Sequence, residues 1–162
     1  MRISPRGFQT VRNLQELFLN DNQLRYESLP KNLFCNLTKL SVLHLENNLW
    51  QNLTSYPQDM FAHLSNLTRL SLDAYPGAKF EHQFSTLHQL TNLRVYGGLD
   101  VVRNDTFAVF SNSSITELSL KTYFEPDAFQ LFISSKHSTL DAMKTLVYRT
   151  CLMPGGAWRQ PR

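Results

Sequence analysis

The chain has 162 residues, of which 42% are hydrophobic, so it is long enough for one domain with a sizeable core. Its net charge of +3 at pH 7 is spread without a run of like charges, which argues against a dedicated polyanion partner. No stretch of about 18 apolar residues is present that would span a membrane. The first residues also lack the apolar segment of a secretory signal.

A short leucine pattern recurs six times along the chain. It consists of a leucine, two residues, a leucine, one residue, a leucine and a later asparagine. The first two copies are Leu14, Leu17, Leu19, Asn22 and Leu40, Leu43, Leu45, Asn48. The copies start near residues 14, 40, 67, 90, 115 and 143, so their spacing varies between 23 and 28 residues. This pattern is typical of leucine-rich repeats, which stack because no single repeat buries its apolar face alone.

The pattern predicts an α/β leucine-rich-repeat solenoid of about six repeats. Phenylalanines lie upstream of the leucines at a helical spacing, and they are Phe8, Phe34, Phe61, Phe84, Phe107, Phe110, Phe129 and Phe132. We therefore expect short parallel strands on the concave side and short helical or 3₁₀ turns on the convex side. Residues 1–13 are predicted to be the end of a truncated repeat, 14–153 the repeats, and 154–162 an unstructured tail.

The asparagine of the pattern is lost after the second repeat. Its place is taken by Tyr75, Gly98, Tyr123 and Cys151. Asparagine satisfies backbone groups of the turn, so its loss has two readings. Either water and neighbouring groups complete the turns, or the solenoid is distorted around Tyr75-Pro76-Gly77.

The outward-facing strand residues form the candidate binding surface, because concave faces of solenoids are usual binding surfaces. The predicted ligand-binding residues are Phe18, Asn20, His44, Glu46, Arg69, Asp73, Arg94, Tyr96 and Lys121. Mixed charge with isolated aromatic residues favours a protein partner, whereas phosphate binding needs clustered Lys and Arg. A solvated face without a partner is the alternative.

Five Asn-x-Ser/Thr sequons predict glycosylation at Asn36, Asn52, Asn66, Asn104 and Asn112. With 12 Asn and 26 Ser or Thr among 162 residues, chance predicts roughly two. All five lie outside the predicted strands, so glycans would leave the concave sheet bare. The sequons therefore predict an extracytoplasmic compartment.

The cysteines and histidines do not indicate chemistry. Cys35 and Cys151 belong to repeats about four strand spacings apart, roughly 19 Å, which is too far for a disulfide. The five histidines show no metal-ligand spacing, and no Gly-x-Ser-x-Gly, phosphate-loop or HExxH motif occurs. We therefore expect a non-enzymatic protein without cofactor or metal.

With those residues in view, the chain resembles part of a Toll-like receptor ectodomain over roughly residues 8–153. The supporting features are the irregular repeat lengths, the dense sequons and the stretch 110–120, which reads Phe-Ser-Asn-Ser-Ser-Ile-Thr-Glu-Leu-Ser-Leu. The resemblance implies innate immune recognition of microbial ligands, dimerisation, and a cell-surface, extracellular or endosomal-lumen location. It also implies signalling through a membrane span and a TIR domain, neither of which lies in this sequence.

A second resemblance remains open. The stretch 29–40, which reads Leu-Pro-Lys-Asn-Leu-Phe-Cys-Asn-Leu-Thr-Lys-Leu, is equally similar to secreted or cell-surface leucine-rich-repeat proteins with regular repeats. That class implies adhesion or matrix binding. The uneven spacing favours the receptor class.

Overall fold

Six parallel strands form one sheet in the computed structural model, which describes residues 3–48, 56–75, 78–97, 106–122 and 145–150. In chain order the strands are β1 (Glu16–Phe18), β2 (Val42–His44), β3 (Arg69–Ala74), β4 (Asn92–Gly97), β5 (Glu117–Thr122) and β6 (Thr145–Thr150). Each strand begins two residues after the apolar residue that starts its repeat. Equivalent repeat positions lie side by side in the register. The predicted solenoid is confirmed.

The convex side is built from single turns in which an amide bonds to the carbonyl three residues earlier. Leu37 N–H donates to Phe34 O at 2.9 Å, and Leu40 N–H donates to Leu37 O at 2.9 Å. The same bonds recur in the third and fourth repeats. This spacing is that of a 3₁₀ helix, as predicted. Assigned 3₁₀ segments are Tyr26–Ser28, His82–Phe84 and Ala108–Phe110.

The core lies between the sheet and these turns. Leu43, Leu70, Leu93 and Leu118 point inward from four successive strands and are fully buried. Aromatic rings pack against one another along the solenoid behind them, with Phe61 and Phe84 centroids 4.9 Å apart. Phe84 and Phe110 follow at 5.5 Å. Each repeat therefore covers the apolar face of the one before it.

A ladder of side-chain hydroxyl groups, each bonded to a backbone carbonyl of the preceding repeat, lies just before the strands. Ser41 Oγ donates to Gln15 O at 3.0 Å, and Thr68 Oγ1 donates to Ser41 O at 3.0 Å. Thr91 Oγ1 continues the series to Thr68 O at 3.0 Å. The sequence signal for this series is a Ser or Thr immediately after the starting apolar residue, and it is present in the second to fifth repeats as Ser41, Thr68, Thr91 and Thr116.

Asparagine holds the turn after β2. Asn48 Nδ2 donates to Leu45 O at 2.7 Å and to Leu19 O at 2.8 Å, while Asn48 Oδ1 accepts from Leu24 N–H at 3.1 Å. The preceding residue, Asn47, turns the chain with a positive φ of 59°. Asp21 in the first repeat does the same with a φ of 55°.

The strands lengthen where the asparagine is missing. β1 and β2 have 3 residues each, whereas β3 to β6 have 6. Ala74 stands at the position of Asn47, but it stays extended and pairs with Gly97. In β3 to β5 the backbone pairing thus continues through the position at which the chain turns in the first two repeats. Tyr75 itself is buried, while Pro76 and Gly77 lie outside the described residues, so both readings of the lost asparagine stay open.

Candidate binding surface on the outer face of the sheet

The side chains on the outer face of β1 to β5, together with Asn20 and Glu46 just after β1 and β2, form three rows, which we call the sheet face. The first row is Glu16, Val42, Arg69, Asn92 and Glu117, the central row is Phe18, His44, Ser71, Arg94 and Ser119, and the third is Asn20, Glu46, Asp73, Tyr96 and Lys121. The parallel register brings together residues that are more than 20 positions apart in sequence.

Seven of the nine predicted binding residues are accessible. Phe18, Arg69 and Lys121 are exposed, and Asn20, His44, Arg94 and Tyr96 are half-buried. Phe18 is 57% exposed, and the other large hydrophobic residue exposed in the described part of the chain is Val11, which lies away from the sheet. An exposed aromatic ring on a regular sheet is therefore the most distinctive apolar feature of this surface. Ligand binding by these residues stays a prediction.

The prediction that Glu46 and Asp73 present their side chains to solvent is wrong. Glu46 is 7% exposed and Asp73 is 3% exposed. Alternation along a strand predicts which face a residue occupies, but not how deeply its neighbours cover it. Asp73 turns toward the preceding repeat, where its carboxylate accepts hydrogen bonds from Asn47 N–H at 2.8 Å and Asn48 N–H at 2.9 Å.

Two tyrosine hydroxyls complete this buried polar cluster. Tyr26 OH donates to Leu45 O at 2.9 Å and accepts from Asp73 N–H at 3.2 Å. Tyr56 OH donates to Asp73 O at 2.9 Å. Burial, with the nearby Asp73 charge, raises the pKa of both tyrosines well above the ordinary value, so both hydroxyls keep their protons.

Burial also dominates the ionisation of Asp73. It raises the pKa of Asp73 from 3.8 to about 6, and the charge of Glu46 acts in the same direction. The hydrogen bonds from Asn48 and Asn47 N–H oppose the shift because they favour the carboxylate. The Asp73 carboxylate therefore links the turn after β2 to β3, and burial makes its ionised form less stable than it would be in water.

Phe18, His44 and Glu46 contact one another in order of decreasing solvent exposure. The Phe18 and His44 rings have centroids 5.0 Å apart, and His44 Nδ1 lies 3.2 Å from Glu46 Oε1. Glu46 Oε2 is buried and has no hydrogen-bond partner among the described residues. The half-buried imidazole thus covers the carboxylate and supports the exposed ring.

On β3 to β5 the sheet face has three cationic side chains, Arg69, Arg94 and Lys121. Arg94 Nη2 lies 3.7 Å from Glu117 Oε1, and both side chains are more than one-third exposed, so this pair is screened by solvent. Lys121 Nζ lies 4.9 Å from the centroid of the Tyr96 ring and 3.3 Å from its hydroxyl oxygen. Arg69 forms no ion pair with any described residue and is exposed.

Three predicted glycosylation sites lie among the described residues, and none is on the sheet face. Asn112 is exposed, and Asn36 is half-buried. Asn66 is exposed, but its Nδ2 donates to Thr38 O at 2.7 Å. Asn52 and Asn104 lie outside the described residues.

The described segments contain neither a group of three or more His, Cys, Asp and Glu side chains placed to hold a metal ion nor a helix with the length and apolar character needed to cross a bilayer. Cys35 forms no disulfide with a described residue, and Cys151, with which it was predicted not to pair, lies outside them.

The parallel strands, 3₁₀ turns and asparagine-held loops define a leucine-rich-repeat solenoid. Solved structures share this arrangement: the crystal structure of the leucine-rich repeat domain of APL1B matches 76% of this chain with a TM-score of 0.58 and 20% sequence identity. The matched part spans 34% of that chain, about a third of its length. No protein-family model and no curated protein sequence matches. At this identity the likeness concerns the fold.

Proposed function

We propose that the chain is a non-enzymatic protein-binding module that uses the sheet face. The observation that carries this proposal is the exposed Phe18 ring, which stands on a regular sheet among side chains of both charges. Aromatic anchors with a polar surround are typical of protein–protein interfaces. The proposal also covers association with a second leucine-rich-repeat chain, alike or different, through the sheet face or its flanks.

The biological setting that we propose is a receptor ectodomain of the Toll-like type, with a role in innate immune recognition. The irregular repeat lengths support this choice over the alternative, an adhesion or matrix-binding protein. Both settings place the chain on the extracellular or endosomal-lumen side. Asn36, Asn66 and Asn112 lie off the sheet face, and glycans there would leave the binding surface open.

A matched pair of substitutions tests the binding surface. Phe18→Ala removes the exposed aromatic ring on the sheet, and Val11→Ala removes the exposed hydrophobic side chain away from it. We expect a partner found on an array of purified extracellular proteins to lose affinity with the first substitution and to keep it with the second. Equal affinity for both variants, or no partner on the array, would contradict the proposal.

Glycosidase treatment tests the compartment. The chain is expressed in cultured animal cells behind a secretion signal, and the mass of the secreted protein is compared before and after treatment. We expect the treatment to lower the mass of the wild-type protein. Asn112→Gln should reduce this loss more than Asn66→Gln does, because the Asn66 amide is engaged with Thr38. An unchanged mass would remove the support that the sequons give to an extracytoplasmic location.

A further inference from the structure

Three exposed or half-exposed cations of the sheet face lie on one diagonal. Arg69 is on β3, Arg94 on β4 and Lys121 on β5. In the register, Ser71 pairs with Arg94 and Tyr96 pairs with Lys121, so each cation is one strand across and two residues along from the last. We call this series the basic diagonal.

The basic diagonal has a regular spacing. One strand across is about 4.8 Å and two residues along are about 6.6 Å, so each step measures about 8 Å between Cα atoms. The full series therefore covers about 16 Å. Alternate side chains of an extended peptide are about 6.8 Å apart on one face, and the flexible stems of arginine and lysine span the small difference.

The surroundings leave these cations available. Ser71 and Ser119, the neighbours of Arg94 in the central row, are short and buried, so no large side chain stands beside the guanidinium along that row. The carboxylate of Asp73 is engaged by two backbone amides and does not neutralise the series. Among the described residues, Glu117 is the one acid that forms an ion pair with Arg94, and solvent-exposed pairs of this kind are weak.

We propose that the basic diagonal binds an extended acidic segment of a protein partner, with carboxylates at alternate positions facing Arg69, Arg94 and Lys121. This inference rests on the proposed protein-binding function and specifies the partner's chemistry. The flanking Phe18 then contacts an apolar side chain of the same partner. Arginine suits this role because its planar guanidinium bonds a carboxylate with two parallel N–H groups.

A protein segment fits this surface better than a nucleic acid. The exposed acids Glu16 and Glu117 share the first row with Arg69 and repel a continuous phosphate backbone. Nucleic-acid surfaces neutralise many phosphates with clustered cations, whereas this one offers three. The exposed Phe18 also adds an apolar contact that a mixed peptide sequence can satisfy.

Fluorescence anisotropy with labelled peptides tests the proposal. The probe is a nine-residue peptide that alternates glutamate and threonine and ends in leucine, and its control replaces every glutamate with glutamine. At low salt we expect the whole chain to bind the glutamate peptide about tenfold more tightly, since exposed charge pairs each contribute little. The variant R69Q/R94Q/K121Q loses this preference. The control variant R12Q/R25Q/K31Q loses the same amount of charge at exposed positions off the sheet face. It should retain the preference for the glutamate peptide.

Two results of this peptide assay would overturn the proposal. One is an equal loss in both triple variants, because binding would then follow net charge alone. The other is tighter binding of a single-stranded oligonucleotide than of the glutamate peptide. A partner found on the protein array that depends on Phe18 but tolerates R69Q/R94Q/K121Q would refute the acidic segment and leave the proposed protein-binding function standing.

Discussion

Asn48 is the side chain whose removal should most directly loosen the first half of the solenoid. Its amide makes three hydrogen bonds to backbone groups of Leu19, Leu24 and Leu45, and the residue is 8% exposed. Asn48→Ala removes all three bonds, although Leu45 O keeps a bond from the Tyr26 hydroxyl and Leu19 O keeps one from the Asn22 amide. Asn22 holds the same repeat position, but it is exposed and bonds only to Leu19 O and Asn20 O.

The two positions predict different costs for the same substitution. Each lost hydrogen bond to a buried backbone group costs about 1 kcal/mol, so Asn48→Ala should lower the free energy of unfolding by about 3 kcal/mol. Water replaces the amide at the exposed position, so Asn22→Ala should cost less than about 1 kcal/mol.

Urea unfolding followed by circular dichroism measures both costs, with the slope of the transition checked for change. Because repeats of a solenoid stabilise their neighbours, the Asn48 variant should also show faster amide exchange at Leu24. Equal losses in the two variants, or a loss below about 1 kcal/mol for Asn48→Ala, would refute the reasoning.

Three further predictions concern the polar cluster and the aromatic core. The pKa of Asp73 is raised from 3.8 to about 6. The folded state therefore binds the extra proton between these values, and stability from this group should rise by up to about 3 kcal/mol as pH falls from 7 to 4. As pH falls from 7.5 to 5, the urea midpoint of the wild type should rise relative to that of Asp73→Asn, which has no carboxyl group to titrate. A constant difference between the two midpoints would contradict this. Tyr26→Phe leaves Leu45 O and Asp73 N–H without the hydroxyl and should cost about 2 kcal/mol by the same assay, while no loss would mean that other groups replace it. Phe84→Ala should cost about 3–5 kcal/mol in thermal unfolding and Phe18→Ala almost nothing, because the first ring is buried and the second is exposed; similar costs would contradict this.

The sequence predicts the strands and the core well because their signals are periodic. Leu43 and Leu70 point inward as their spacing requires, and every strand starts two residues after the first residue of its leucine pattern. Among the described residues, five of the upstream phenylalanines are buried for the same reason, namely Phe34, Phe61, Phe84, Phe107 and Phe110. Periodicity reports which face a residue occupies, and burial of apolar side chains follows from that face.

The periodic pattern does not predict how deeply a polar side chain is buried. Asp73 shares a row with Lys121, yet one is buried and the other is exposed. The difference depends on Tyr26, which is 47 positions from Asp73 and reaches it only in the folded chain. The longer strands after β2 were not predicted either, because they result from backbone pairing that continues through the turn position.

The change from three-residue to six-residue strands makes the two halves of the sheet unequal in their tolerance of mutation. In the first half, a single amide such as that of Asn48 holds each turn, so one substitution removes several bonds at once. In the second half, peptide groups hold each other, and these are present whatever the side chain is. In the third row, the positions of Tyr96 and Lys121 can therefore change without loss of the backbone pairing that holds them. A repeat protein organised in this way can acquire new specificity at one end while the other end preserves its geometry.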